Sequence, residues 1–82
     1  MLVTIKYFAS IREAIGQASE QRETTAATLA DLREELLATS SSYACLSRDR
    51  AVRMALGQIM SDESAMLAPG CEVAFFPPVT GG

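Results

Sequence analysis

The sequence predicts an α+β roll, in which a mixed sheet of four to five strands carries one main helix across one face. Two observations lead to this fold class. Residues 2–8 and 72–76 are apolar segments with the residue types of β-strands. Residues 29–37, which lie between them, have apolar residues at helical spacing. Because a single amphipathic helix cannot bury its apolar side alone, it must lie across the sheet.

The opening third of the chain is expected to form two strands and a short helix. In the first strand, residues 2–8, successive side chains alternate between two faces. The buried face carries Val3, Ile5 and Tyr7, and the other face carries Leu2, Thr4, Lys6 and Phe8. Residues 9–15 can form a short helix that ends at Gly16. The polar segment 18–24 is predicted to be a solvated edge strand.

The main helix is predicted to begin after Thr28, whose hydroxyl can cap the first turn, with Asp31 near the positive end of the helix dipole. Its apolar stripe consists of Leu29, Leu32 and Leu36, and its solvated side consists of Arg33, Glu34 and Glu35. The Thr- and Ser-rich segment 39–42 is interpreted as a loop. Residues 45–50 have no pattern that assigns a structure to them.

The second half of the chain is expected to complete the sheet. Two short strands, 52–56 and 59–60, flank a Gly-Gln pair at 57–58, where glycine supplies the positive φ that a tight hairpin requires. The Pro-Gly pair at 69–70 predicts a turn. The last strand, 72–76, follows this turn.

Length and composition bound the function. The 82 residues, with a mass of 8.8 kDa, are enough for one domain, taken as 1–82. Seven Lys and Arg against ten Asp and Glu give a net charge of −3, which provides no basic surface for nucleic acid or an anionic membrane. Histidine is absent, and two cysteines are too few for a zinc site or a disulfide scaffold. No metal site is therefore predicted, and the composition argues against a self-contained enzyme.

The expected location is the cytoplasm, with reduced thiols. The start of the chain lacks the basic and long apolar regions of a signal peptide, and no apolar run approaches the roughly 18 residues of a membrane span. Cys45 is interpreted as filling space in the packing. Cys71 is interpreted as an incidental thiol, because no neighbour in the sequence favours its reactive thiolate. A reactive thiol that serves the end of the chain is the alternative.

The last six residues, 77–82, form a predicted extended tail with the sequence PPVTGG. Pro77 and Pro78 have no backbone N–H, so the sheet ladder must end there, and the tail reaches roughly 20 Å beyond the sheet. Gly81 and Gly82 have no side chains. They can therefore enter a slot too narrow for a Cβ and present the terminal carboxylate to the active site of another protein. A frayed chain end is the alternative interpretation.

Residues 72–82, EVAFFPPVTGG, closely resemble the C-terminus of the small subunits of molybdopterin synthase, which are ubiquitin-like sulfur carriers with the β-grasp fold. The resemblance extends over the whole chain. Residues 3–9, VTIKYFA, resemble the first strand of that family, and the helix at 29–37 and the turn at 69–70 fall where the family has them. The ending FFPPVTGG is the most specific part. The resemblance therefore implies a β-grasp roll.

The resemblance also implies that Gly82 is the reacting residue. An E1-like activating enzyme would use ATP to adenylate its carboxylate, and a sulfur donor protein would supply the sulfur that turns the acyl-adenylate into a thiocarboxylate. The tail would then insert into the large synthase subunit, which builds the dithiolene of molybdopterin from cyclic pyranopterin monophosphate. The other inserted residues would be Pro77, Pro78, Val79, Thr80 and Gly81. The resemblance implies a heterotetramer of two small and two large subunits, and no permanently bound cofactor.

Three apolar side chains are predicted to form a docking surface for a partner. Phe8 and Phe76 lie off the buried faces of the first and last strands, so in a β-grasp sheet they share the face away from the helix, where Met60 could join them. A small secondary core is the alternative. The acidic residues expected to be solvated are Glu20, Glu23, Glu34 and Glu35.

Two other functions stay open at the level of sequence. A sulfur carrier of the same fold in the thiamin or cysteine pathway would share the Gly-Gly ending, but such carriers usually lack FFPPVT before it. A ubiquitin-like protein modifier would instead join Gly82 to a lysine through an isopeptide bond.

Overall fold

A computed structural model describes residues 1–47 and 50–78 of the chain. The elements in chain order are β1 (Leu2–Tyr7), α1 (Ala9–Ile15), β2 (Ser19–Glu23), α2 (Leu29–Thr39), a 3₁₀ helix (Ser41–Leu46), β3 (Arg53–Leu56), β4 (Ile59–Ser61) and β5 (Glu72–Phe76). Every strand and helix that the sequence predicts is present, with boundaries that differ by one or two residues.

The strands form one mixed sheet with the order β2-β1-β5-β3-β4. The central strand β5 runs parallel to β1 and antiparallel to β3, and both hairpin pairs are antiparallel. Helix α2 covers one face and buries its stripe there. The side chains with no exposed surface in this core are Val3, Ile5, Leu29, Leu32, Leu36, Leu46, Val73 and Phe75. The predicted α+β roll with one main helix is confirmed.

Two tight turns form where the sequence places glycine. Gly16 ends α1 with a φ of 92°, and its N–H donates to the Arg12 carbonyl at 2.8 Å. Gly57 and Gln58 join β3 to β4 with φ angles of 58° and 68°. Two successive positive φ angles are typical of the type I′ hairpin turn, which matches the twist of the flanking strands.

The beginning of α2 is held by its predicted cap and by a later part of the chain. The Thr28 hydroxyl accepts a hydrogen bond from the Asp31 N–H at 3.2 Å. The Leu29 N–H donates to the Ala65 carbonyl at 3.1 Å, and the Ala30 N–H donates to the carbonyl of residue 63 at 2.9 Å. The segment around 63–65 therefore satisfies helix donors that have no partner within the helix.

The placement of Arg33 on the solvated side of α2 is wrong. Arg33 is only 5% exposed, and its Nη2 donates to Glu63 Oε2 at 2.5 Å. Arg33 follows Leu29 by four residues, so it flanks the apolar stripe, and the segment that caps the helix covers it. Glu34 is exposed, as predicted.

The solvated interpretation of Glu20 is also wrong. Its Oε2 accepts hydrogen bonds from the Tyr7 hydroxyl at 2.9 Å and the Tyr43 hydroxyl at 2.7 Å, and from Gln17 Nε2 at 2.7 Å. Tyr7 and Tyr43 are both buried, so each hydroxyl needs a partner inside the protein. Burial and then Glu20 raise the pKa of Tyr7 well above its ordinary value. Glu20 thus ties the edge strand β2 to the core.

Glu35 is likewise bonded rather than simply solvated. Thr24 Oγ1 donates to Glu35 Oε1 at 2.6 Å, and Arg22 Nε donates to Oε2. Arg22 Nη2 reaches the Thr39 hydroxyl at 2.8 Å. These contacts join β2 and the residue after it to Glu35 and Thr39, which lie one turn apart on α2. Glu23 is exposed, as predicted.

The segment after α2 is not the predicted loop. The Ser40 hydroxyl accepts from the Ser42 N–H at 3.2 Å and caps the 3₁₀ helix. Tyr43 and Leu46 are buried in the core, and Cys45 is half-buried against it. The space-filling interpretation of Cys45 agrees with this packing, and burial raises the pKa of its thiol.

The described part of the chain has neither a membrane-spanning helix nor a cluster of metal-ligating side chains. Neither described helix has the length and apolar character that crossing a bilayer requires. Within residues 1–47 and 50–78, no three side chains of His, Cys, Asp or Glu come together as a possible metal site.

Candidate functional site

The start of the tail is set by the central strand. β5 ends at Phe76, and the two following prolines are half-buried. In the β1–β5 ladder the Thr4 N–H donates to the Cys71 carbonyl at 3.0 Å, and the Phe8 N–H donates to the Phe75 carbonyl at 3.1 Å. The next donor in this parallel pattern would be the amide of residue 77.

Residue 77 is proline and has no N–H to donate, so the ladder ends there, as the sequence predicts. The Phe8 carbonyl accepts instead from the N–H groups of Ile11 and Arg12, at 3.1 and 3.3 Å, and these bonds begin α1. Ala9, with a φ of 51°, turns the chain between the strand and the helix. One end of the sheet therefore holds both the first turn of α1 and the exit of the tail.

Most of the predicted tail lies outside the described residues. Pro77 and Pro78 are the last described positions, whereas Val79, Thr80, Gly81 and Gly82 are not among them. The insertion of the tail and the chemistry of Gly82 therefore stay predictions. The structure shows the point from which the tail starts and the surface around that point.

Phe8 and Phe76 share the sheet face away from α2, as the sequence predicts. Tyr7 pairs with Phe75 on the buried face, so the next residues in both strands point the other way. Phe8 is 46% exposed and Phe76 is half-buried. Phe8 and Phe76 thus occupy neighbouring positions on this face, where the tail leaves the sheet. We call Phe8 and Phe76 the aromatic pair.

Met60 lies on the same face but away from the aromatic pair. It pairs with Ala55 across the β3–β4 hairpin, and Ala55 in turn pairs with Ala74 of β5. Met60 is 60% exposed. Strand β3 separates it from Phe76, so the three predicted docking residues do not form one cluster. The predicted docking residues are therefore an aromatic pair at the ends of the two central strands and a methionine on the edge strand.

The structure shows two charged residues on this face: Lys6, which the sequence places there, and Arg53, which sequence reasoning missed. Arg53 pairs with Phe76 in the β3–β5 ladder and is exposed beside it. Lys6 Nζ lies 3.3 Å from Glu72 Oε1 across the β1–β5 ladder. The register between distant strands decides both contacts, and the local sequence contains no signal of that register. The face therefore combines apolar side chains with charged ones, and Arg53 lies beside the aromatic pair.

The two cysteines lie at different distances from the tail. Cys45 lines a cavity of about 310 Å³ together with Ile11 and Pro77, at the base of the tail. Cys71 precedes β5 at the opposite end of that strand, roughly 17 Å from Phe76 at about 3.3 Å per residue. That separation supports the incidental interpretation of Cys71.

The five-stranded mixed sheet, its order and the one helix across it define a ubiquitin-like protein with the β-grasp fold. The exit of the tail beside an exposed aromatic pair places its candidate site at one end of the sheet. Residues 5–82 match the model of the ThiS family, and the chain belongs to that family.

Two relatives match essentially the full chain. They are the proteins named molybdopterin synthase sulfur carrier subunit from Escherichia coli K12 and from Haemophilus influenzae. Each is 33% identical over 81 residues, which cover 99% of this chain and 100% of the relative.

Solved structures agree with this fold. A putative molybdopterin converting factor, subunit 1, from Pyrococcus furiosus has a TM-score of 0.79 at 28% identity, covering 96% of this chain and 99% of that one. SAMP1 from Haloferax volcanii has a TM-score of 0.81 at 22% identity, covering 100% of both chains. The complex of subunits 1 and 2 of the molybdopterin-converting factor from Helicobacter pylori contains a chain with a TM-score of 0.70 at 23% identity, with 100% of both covered. The last two likenesses show the fold alone.

Proposed function

We propose that this chain is a sulfur carrier in the biosynthesis of the molybdenum cofactor. The observation that carries the proposal is the full-length likeness, at 33% identity, to two proteins named molybdopterin synthase sulfur carrier subunit. The family match runs through Gly82, so it includes the Gly-Gly ending on which the chemistry depends.

The proposed reaction proceeds at the Gly82 carboxylate. A carboxylate is a poor electrophile; in adenylation by an E1-like enzyme, one carboxylate oxygen attacks the α-phosphate of ATP, pyrophosphate leaves, and AMP becomes a good leaving group on the acyl carbon. Sulfur from a donor protein then displaces AMP and leaves a thiocarboxylate. ATP binds the activating enzyme rather than this chain, and because the reaction consumes ATP we place it in the cytoplasm.

The geometry supports the role of a carrier that presents its tail to another protein. The tail leaves from the central strand of the sheet, and Pro77 ends the ladder at that point. The aromatic pair of Phe8 and Phe76 lies beside this exit. A protein that covers the aromatic pair is therefore positioned to receive the tail.

The proposed receiving protein is the large subunit of molybdopterin synthase. In the Helicobacter pylori complex, a chain with this fold is bound to subunit 2 of the molybdopterin-converting factor. We propose that the thiocarboxylate there donates its sulfur to cyclic pyranopterin monophosphate, within a heterotetramer of two small and two large subunits. The small subunit would supply sulfur, and the large subunit would supply the catalytic groups.

A protein modifier is the second candidate function. The likeness to small archaeal modifier protein 1 of Haloferax volcanii has a TM-score of 0.75 at 19% identity, which reflects the shared fold. A carrier for the thiamin or cysteine pathway is a third. These functions differ in the molecule that receives the activated Gly82 or its sulfur, so the experiment must identify the pathway that the chain serves.

The distinguishing experiment is genetic rescue in two strains. One strain lacks its molybdopterin synthase carrier subunit, and the other lacks its thiamin carrier. Expression of the full chain is expected to restore molybdenum cofactor synthesis and not thiamin synthesis, while a chain without Gly82 should restore neither. Rescue of thiamin synthesis alone, or rescue by the chain without Gly82, would contradict the proposal.

A further inference from the structure

A second surface lies at the edge of the sheet and has no part in the proposed sulfur chemistry. A groove of about 530 Å³ is bounded by the start of β3, the end of β4 and one side of α2. Three arginines line it: Arg33 from α2, Arg50 from the segment before β3, and Arg53 from β3 itself. Met60 also lines it, so the groove continues from the helix-free face of the sheet.

The groove is lined by more positive than negative side chains. Arg33 donates to Glu63, and the Asp62 carboxylate accepts from the Ser64 N–H at 2.9 Å and from the Ser64 hydroxyl. Both acidic residues that line the groove are therefore already bonded. Three arginines against Asp62 and Glu63 leave the groove a net charge of +1, and the hydrogen bonds from Ser64 leave Asp62 less available to the arginines.

Arg50 and Arg53 are exposed, and neither forms an ion pair with an acidic side chain within residues 1–47 and 50–78. The buried Arg33 Nε also has no hydrogen-bond partner in this part of the chain. Guanidinium groups present planar pairs of donors that match a carboxylate. The free donors of the groove therefore suit a ligand with carboxylate groups.

We propose that this groove binds a carboxylate-bearing segment of the protein that docks on the sheet face. Resting on the proposed function, that protein is the large synthase subunit. Arg53 pairs with Phe76 of the aromatic pair and also lines the groove, so a partner over the aromatic pair reaches the groove through Arg53. The acidic segment would contact Arg50 and Arg53.

The size and lining of the groove favour a protein segment over a small free anion. A volume of about 530 Å³ is many times the roughly 30 Å³ that one water molecule occupies in the liquid. Apolar side chains of Val52, Met54 and Met60 line it together with the arginines. A segment that carries both carboxylates and apolar side chains would complement this mixture.

The test uses the full chain with Arg50→Glu and Arg53→Glu combined. Both side chains are exposed, so the variant should unfold at the same temperature as the wild type, which is measured first. The dissociation constant for the large subunit is then measured at low and high salt. Arg12→Glu is the control, because Arg12 is exposed on α1 and does not line the groove; it carries the same change of charge as each single variant, Arg50→Glu or Arg53→Glu, and these are measured beside the double variant.

The double reversal is expected to weaken binding about tenfold or more at low salt, and the difference should shrink at high salt. The control should change affinity by no more than about twofold. Arg50→Lys with Arg53→Lys should retain part of the affinity, since it keeps the charge but loses the paired donors.

Equal effects of the double reversal and the control would overturn the proposed groove and leave the sulfur-carrier function intact. Failure of the wild-type chain to bind the large subunit would overturn both proposals. The two failures are therefore distinguishable in one set of measurements.

Discussion

Phe8 and Phe76 occupy neighbouring positions at the ends of two parallel strands: Phe8 follows β1, and Phe76 ends β5 immediately before the tail. The Phe8 N–H donates to the Phe75 carbonyl at 3.1 Å, which fixes the register of the two rings on the helix-free face. Pro77 follows directly and ends the ladder. Phe8 and Phe76 therefore lie where the β1–β5 ladder ends, and they form the most accessible aromatic surface beside the exit of the tail.

This arrangement predicts that Phe8→Asp weakens association with the large subunit about tenfold or more, because aromatic side chains at the centre of an interface contribute most of its affinity. Leu2→Asp is the matched control. Leu2 lies on the same face of the sheet, at the far end of β1, and is 45% exposed against 46% for Phe8. The measurement is the dissociation constant by calorimetry.

The control should change affinity by about twofold or less. Similar losses in both variants would indicate a general effect of charge on the sheet face and would remove the argument for the aromatic pair. Both variants replace an exposed side chain, so their unfolding temperatures should remain close to that of the wild type.

Glu20 is predicted to stabilise the fold through its bonds to the two tyrosines. Glu20→Ala leaves the hydroxyls of Tyr7 and Tyr43 without their partner inside the protein, at a cost of about 2 kcal/mol or more in the free energy of unfolding. Urea unfolding measures this cost. Glu34→Ala removes an exposed acid and should change the free energy by about 0.5 kcal/mol or less. A Glu20→Ala variant as stable as its control would refute the role of this carboxylate.

Glu35 is predicted to make stability depend on acid pH. Burial pushes its pKa up, but the hydrogen bonds from Thr24 and Arg22 and the Arg22 charge outweigh burial and lower the pKa below its ordinary 4.5. A carboxyl with a lowered folded pKa contributes stability above its unfolded pKa, and this contribution is lost as the pH falls through the folded value. The free energy of unfolding should therefore decrease as the pH is lowered below about 4.5.

The variant Glu35→Gln tests this assignment. The stability difference between wild type and variant should be large at about pH 7 and should shrink as the pH falls below the ordinary pKa of 4.5 and the wild-type carboxyl becomes protonated. Glu34→Gln, one position away and exposed, is the control for the same chemical change. A difference for Glu35→Gln that is constant across the range would contradict the assignment.

Local patterns in the sequence predict nearly all of the strands and helices. The alternation of Val3, Ile5 and Tyr7 predicts the buried face of β1, and Thr28 predicts the start of α2. Each of these features depends on residues within one or two turns of each other. Such features can therefore be predicted from the sequence alone.

Contacts between distant segments account for the errors. Arg33 meets Glu63 thirty residues later, and Glu20 meets Tyr43 twenty-three residues later. When the partner of a charged residue lies far away in the sequence, the local sequence does not show whether that residue is bonded or solvated. The position of Arg53 beside Phe76 follows from strand register in the same way, so the groove could not be predicted from the sequence.

Removal of Gly82 is predicted to separate folding from function. The buried core comprises side chains from Val3 to Phe75, so a chain that ends at Gly81 should unfold at the temperature of the full chain. It should also bind the large subunit through the aromatic pair, with at most a modest loss. It should accept no sulfur, because the reacting carboxylate would be one residue short. A large loss of stability would show that the tail belongs to the fold.

The most direct test of the central claim is the intact mass of the full chain after incubation with an activating enzyme, ATP and a sulfur donor. The account predicts a product about 16 Da heavier than the unmodified chain, because one oxygen of the Gly82 carboxylate is replaced by sulfur. Fragmentation should locate the added mass at Gly82, and the chain without Gly82 should show no increase. Recovery of only the unmodified mass, or of lysine conjugates without the heavier product, would contradict the sulfur-carrier function.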